Sequence, residues 1–108
     1  MKSVRVTHNG IEYNVQYFAS LDSRLKDYVL SVTAWDVRNP RENMLVYRAR
    51  ITQDFIKNDI SSNEDIDFIE DVFAEVIREH FASIVKLDGG GSIQNVNIWM
   101  TEAKEAIS

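Results

Sequence analysis

Glu70 and His80 are the two polar side chains that interrupt the apolar arc running from Ile66 to Ile84. A carboxylate held among apolar neighbours has a raised pKa and can act as a general base. A histidine on the same arc can move a proton or hold a metal. Together they would mark the mouth of a helix/sheet pocket in a small enzyme or ligand binder. The spacing supports plainer roles. Glu79-His80 lacks the HExxH pattern of a zinc helix. Cysteine is absent, which removes thiolate ligands and cysteine nucleophiles. No serine stands in a GxSxG turn. Glu70 is expected to reach out at the edge of the buried stripe, and His80 to be a satisfied structural residue. No catalytic residue, metal or cofactor is assigned, and an enzyme is not expected.

The glycine run of Leu87-Asp88-Gly89-Gly90-Gly91-Ser92-Ile93 suggests a phosphate loop. Such a loop follows a strand and opens a helix, so that helix amides meet the anion. Here the glycines follow a helical pattern and precede an apolar run. They sit at the negative end of the helix dipole beside Asp88, so a helix cap at Gly89 and a chain reversal are expected. Asp54, Asp59, Glu64, Asp65 and Asp67 suggest calcium, yet the loop spacing of an EF-hand is missing. Arg38, Arg41, Arg48 and Arg50, with Trp35 and Tyr47 nearby, suggest single-stranded nucleic acid. The basic stripe is short and the chain carries a net charge of −5, so nucleic acid is not the expected partner.

These residues must be positioned by a small set of elements. Asn9-Gly10 lies between two alternating runs, which marks a two-residue hairpin. Pairing His8 with Ile11 puts Val4, Val6, Ile11, Tyr13, Val15 and Tyr17 on one face. Asn39-Pro40-Arg41-Glu42 predicts a second turn. Pairing Arg38 with Asn43 sets Ala34 opposite Tyr47 and Val32 opposite Ala49. The spacing then becomes helical: Ile66, Ile69, Phe73, Val76, Ile77, Phe81 and Ile84 share one broad face. Ser61 and Ser62 offer a capping box, and Thr52–Phe55 a short helical turn before it. Ile93–Met100 reads as a fifth strand, with a short terminal helix capped by Thr101. The expected fold is a single α+β domain over residues 1–108. It has two layers, with an antiparallel sheet of about five strands on one long helix, in the order ββββ-α-β-(short α).

Length and composition agree with one soluble domain: 108 residues, 44% hydrophobic and 27% charged. No window approaches a membrane span and no apolar leader opens the chain, so a cytoplasmic setting without membrane contact is expected. Residues 24–50 carry six basic groups against three acidic, and residues 52–79 nine acidic against two basic. Val96-Asn97-Ile98-Trp99 resembles the last strand of pterin-binding tunnelling-fold enzymes. The likeness is confined to this segment, their zinc-binding histidines have no counterpart, and no property is carried over.

Trp35, Val37, Met44 and Val46, with Arg48, lie on the face of the second hairpin opposite its core face. Soluble monomers seldom expose a contiguous apolar patch with a tryptophan. Tryptophan, methionine and arginine are enriched at protein interfaces. Asp67, Asp71, Glu75 and Glu79 line the solvent face of the helix and suit a basic partner. The expected function is that of a small acidic protein-binding module of inhibitor, immunity or adaptor type, or a homodimer. The alternative patch reading is that the tail, with Trp99, Met100 and Ile107, covers the Trp35 face.

Overall fold

A computed structural model describes residues 1–22, 24, 27–39, 44–52, 63–86 and 91–107. Asn9 and Gly10 both take positive φ, 51° and 76°, as a type I′ turn requires. They join β1 (Lys2–His8) to β2 (Ile11–Asp22). The pairing is the expected one, with His8 opposite Ile11, Val6 opposite Tyr13 and Val4 opposite Val15. β2 runs on beyond β1 and pairs with β3 (Asp27–Asp36), which pairs in turn with β4 (Leu45–Ile51).

The second hairpin differs from expectation by two residues. Ala34 stands opposite Leu45 and Val32 opposite Tyr47. The cause is visible at its end: β3 stops at Asp36, and the Val37 amide donates to the Glu12 carbonyl at 3.0 Å. Val37 thus stays with β2, and the connection to β4 is longer than a tight turn. A shift of two preserves facing, because side chains alternate with period two. Leu30, Val32, Ala34, Tyr47, Ala49 and Ile51 are all buried on one face.

α1 (Asn63–Val85) lays its predicted stripe on that face. Ile69, Phe73, Val76, Ile77, Phe81 and Ile84 are buried, and Val72 joins them. The tail is the main departure. The late strand, β5, holds only Gly91–Ser92, and it runs parallel to β4, so the five-stranded sheet is mixed. Residues 96–100, read as strand, open α2 (Val96–Ile107). Val96, Met100 and Ala103 are buried at helical spacing, while Ile98, an inward residue of the alternating reading, is 61% exposed. The alternation of Val96, Ile98 and Met100 was compatible with both periods. A well-formed helix downstream and the first-turn bond from the Trp99 amide to the Asn95 carbonyl decide for helix. Thr101 is therefore not a cap, and its hydroxyl donates back to the Asn97 carbonyl at 2.9 Å.

Asn97 explains why so short a β5 suffices. Its amide oxygen accepts from the Thr52 amide at 3.1 Å, and its Nδ2 donates to the Arg50 carbonyl at 3.0 Å. The side chain continues the ladder that the Ile93 amide begins on the Arg48 carbonyl at 2.9 Å. The α+β class and the order ββββ-α-β-α stand, with α1 and α2 forming one layer on the sheet. The Ser61/Ser62 capping box, residues 53–55, residues 40–43 and Gly89 lie outside the described residues. Among the described residues no helix is long and apolar enough to cross a membrane.

Candidate protein-binding face

Strand alternation sends every second residue of β1 to β4 away from the helices. Cross-strand rows on this outer face follow from the register. One row is Ser3, Gln16, Thr33 and Val46; the next is Phe18, Ser31, Arg48 and Ser92. Trp35 sits beside Asn14 in the row above. Apolar side chains are prominent here. Met44 is 58% exposed, Val46 50% and Phe18 40%, and Trp35 and Val37 are half-buried. A recess of about 390 Å³ lies between Phe18 and Met1 on one side and Trp35 and Met44 on the other, floored by Gln16, Ser31 and Thr33. Among the described residues no charged side chain lines it.

The tail does not cover this face. Met100 is fully buried in the core, and the Trp99 ring stacks on the His80 imidazole, with centroids 4.3 Å apart and planes 6° apart. α2 packs on α1 and β4, in the same layer as α1. The structure therefore brings Trp35, Val37, Met44, Val46 and Arg48 together on one open surface. Phe18 belongs to it and was not singled out from sequence. The signal was present: Tyr17-Phe18 are adjacent aromatics in a strand, so one must face outward.

The acidic set lies on the helical layer, away from the outer sheet face, and it is partly offset by nearby cations. Lys2 Nζ stands 2.8 Å from Asp71 Oδ1, 3.7 Å from Asp67 Oδ1 and 3.7 Å from Glu70 Oε1. The hydrogen bond to Asp71 raises the Lys2 pKa above its ordinary value, against the opposing effect of desolvation. Glu75 is paired with Arg78, and Glu79 Oε2 lies 3.9 Å from His80 Nε2. Asp67 and Asp71 thus share Lys2, while Glu75 has Arg78 and Glu79 has His80 beside it, which weakens the helix face as a surface for a basic partner.

Glu70 and His80 do not converge. They are ten positions apart on one helix, about 15 Å along its axis. Glu70 is buried, and its Oε2 accepts the Ala19 amide at 2.8 Å. β1 ends its pairing opposite Tyr17, so this amide lies past the end of the neighbouring strand. Glu70 replaces the missing strand there, which is a structural task. His80 is a stacking partner of Trp99 rather than a hydrogen-bonded core residue.

One buried polar atom is left over. The Tyr47 hydroxyl is fully enclosed and has no hydrogen-bond partner among the described residues. Burial, with a smaller contribution from Tyr13, pushes its pKa up to about 12. Of the acidic residues weighed against a calcium loop, Asp54 and Asp59 lie outside the described residues, as do the side chains of Glu64 and Asp65. The Val96–Trp99 segment, likened above to a tunnelling-fold strand, is helical. No protein-family model, curated protein or solved structure matches this chain, so its own geometry is the basis for any functional reading.

Proposed function

We propose that this chain is a non-enzymatic protein-binding module that engages its partner through the outer face of the sheet. The observation that carries the reading is the open surface of Trp35, Met44, Val46 and Phe18, which neither helix covers. Burying such side chains contributes on the order of 1.5–3 kcal/mol each when complete. An open face that combines tryptophan, methionine and arginine has the composition of an interface. Occlusion of a partner's surface, as by an inhibitor or adaptor, needs nothing more than this face. A cytoplasmic setting is part of the same proposal.

A foreign partner is favoured over a homodimer by charge. A twofold contact centred on this face would set Arg48 and Arg50 near their own copies, which is repulsive. The test compares the wild type with Trp35→Ala/Val46→Ser and with Asp67→Asn/Glu79→Gln in affinity capture from the native host, with light scattering of each. A stoichiometric foreign protein is expected with the wild type and with the acidic-face variant, and is lost with the sheet-face variant. Capture that ignores the sheet-face changes would refute the proposal. So would a wild-type dimer that those changes convert to a folded monomer.

A further inference from the structure

We infer that the partner presents an acidic group beside an apolar anchor, its carboxylate seated between Arg48 and Arg50. This rests on the protein-binding reading and specifies the chemistry of the partner. A second recess, of about 460 Å³, runs along the β4/β5 edge, and its Arg48 shares a cross-strand row with Phe18 and Ser31 of the first. Arg48, Arg50, Ser92 and Gln94 line it. Ser92 stands opposite Arg48 in the parallel pair, so both side chains share the outer face. Among the described residues Arg48 has no ion pair, and the side chains of Ser92 and Gln94 make no hydrogen bond. Arg50 is held loosely, its Nε lying 3.9 Å from Asp27 Oδ2. Two guanidinium groups with neighbouring hydroxyl and amide donors suit a carboxylate, which a guanidinium can bind with two parallel hydrogen bonds.

The acidic residues nearby limit the ligand. Asp22 also lines the recess, with its Oδ1 accepting the Arg24 amide at 3.0 Å, and Asp27 flanks Arg50. A polyphosphate backbone would meet both of them, whereas a single carboxylate between the arginines need not. The apolar recess lies on the same strands. From Met44 to Arg48 is four residues of strand, about 13 Å. An extended partner segment would therefore carry an aromatic side chain over the Trp35 recess and a carboxylate four positions further on. The indole N–H of Trp35 and the side-chain polar groups of Gln16, Ser31 and Thr33 have no hydrogen-bond partners among the described residues. They line the recess where its backbone would run.

The probe is a capped pentapeptide, Phe-Ser-Gly-Ser-Glu, titrated into the isotope-labelled full chain and followed by amide shifts. The same peptide ending in Gln is the control. Saturable shifts are expected at Thr33, Trp35, Arg48 and Arg50, with the acidic peptide binding about fivefold tighter. Arg48→Gln/Arg50→Gln should remove that difference without changing the melting temperature, since both side chains are exposed. Equal affinities overturn the inference, as does the lack of a saturable shift with either peptide. An oligothymidylate that displaces the peptide would do so too, by assigning the groove to nucleic acid. Partner capture that needs Trp35 and Val46 but survives the double arginine change would end this inference and leave the protein-binding reading intact.

Discussion

The two faces of the sheet are built from alternate residues of the same strands, and both contain large apolar side chains. On the inner face Tyr17, Leu30, Val32 and Tyr47 are sealed beneath the helices. On the outer face Phe18, Trp35, Met44 and Val46 remain open to solvent to differing degrees. The inner set accounts for the fold. The outer set adds little to it, because side chains that stay in water gain little from folding. This contrast between the two faces is what supports the proposed binding role of the outer one.

The sharpest way to break this contrast is to truncate one residue of each face. Leu30→Ala removes a fully buried side chain and should cost about 2–5 kcal/mol in denaturant unfolding. Val46→Ser, in the neighbouring strand, should change stability by no more than about 0.5 kcal/mol. A large loss at Val46 would mean that the outer face is part of the core after all.

The next effect lies at the rim of the inner face. Glu70→Ala leaves the Ala19 amide without its acceptor and should cost about 1–3 kcal/mol. Glu70→Gln retains an oxygen acceptor and should cost less. If both variants were fully stable but lost binding of a small molecule, Glu70 would be functional rather than structural.

The smallest effect sharpens the account of the inner face. Tyr47→Phe deletes an enclosed hydroxyl that has no partner among the described residues, so stability at neutral pH should hold or rise by about 1 kcal/mol. The pH dependence has a definite sign. An unfolded tyrosine ionises near 10, whereas burial holds Tyr47 protonated to about 12. The unfolded chain releases its proton first, so stability is fully present below about pH 10 and falls as pH rises towards 12. That loss should amount to about 2–3 kcal/mol and be absent from Tyr47→Phe in equilibrium unfolding across this window.

Much of this architecture was legible in the residues. Asn9-Gly10 set the first register because few residues tolerate two successive positive φ angles. The stripe from Ile66 to Ile84 was long enough to admit only a helix. The tail was ambiguous because Val96, Ile98 and Met100 satisfy both periods over so short a span. The helical bond from Trp99 to Asn95 and the burial of Val96, Met100 and Ala103 at helical spacing resolve it. Register in the second hairpin was hidden for a related reason: a shift of two leaves every side chain on its face. The outer patch was readable as Trp35, Val37, Met44 and Val46, and Phe18 could have been added from its place beside the inward Tyr17 in the same strand. The roles of Lys2, Glu70 and Asn97 depend on contacts distant in sequence, from Lys2 to Asp71, Ala19 to Glu70 and Arg50 to Asn97, and no local pattern encodes them.

The most direct measurement takes the captured partner and compares its affinity for the wild type and for Trp35→Ala, with the stability of the variant recorded alongside. A central interface tryptophan contributes about 2 kcal/mol or more, so the dissociation constant should rise about thirtyfold or more while the variant stays folded. An unchanged dissociation constant in a folded Trp35→Ala protein would contradict the assignment of the outer face as the binding surface.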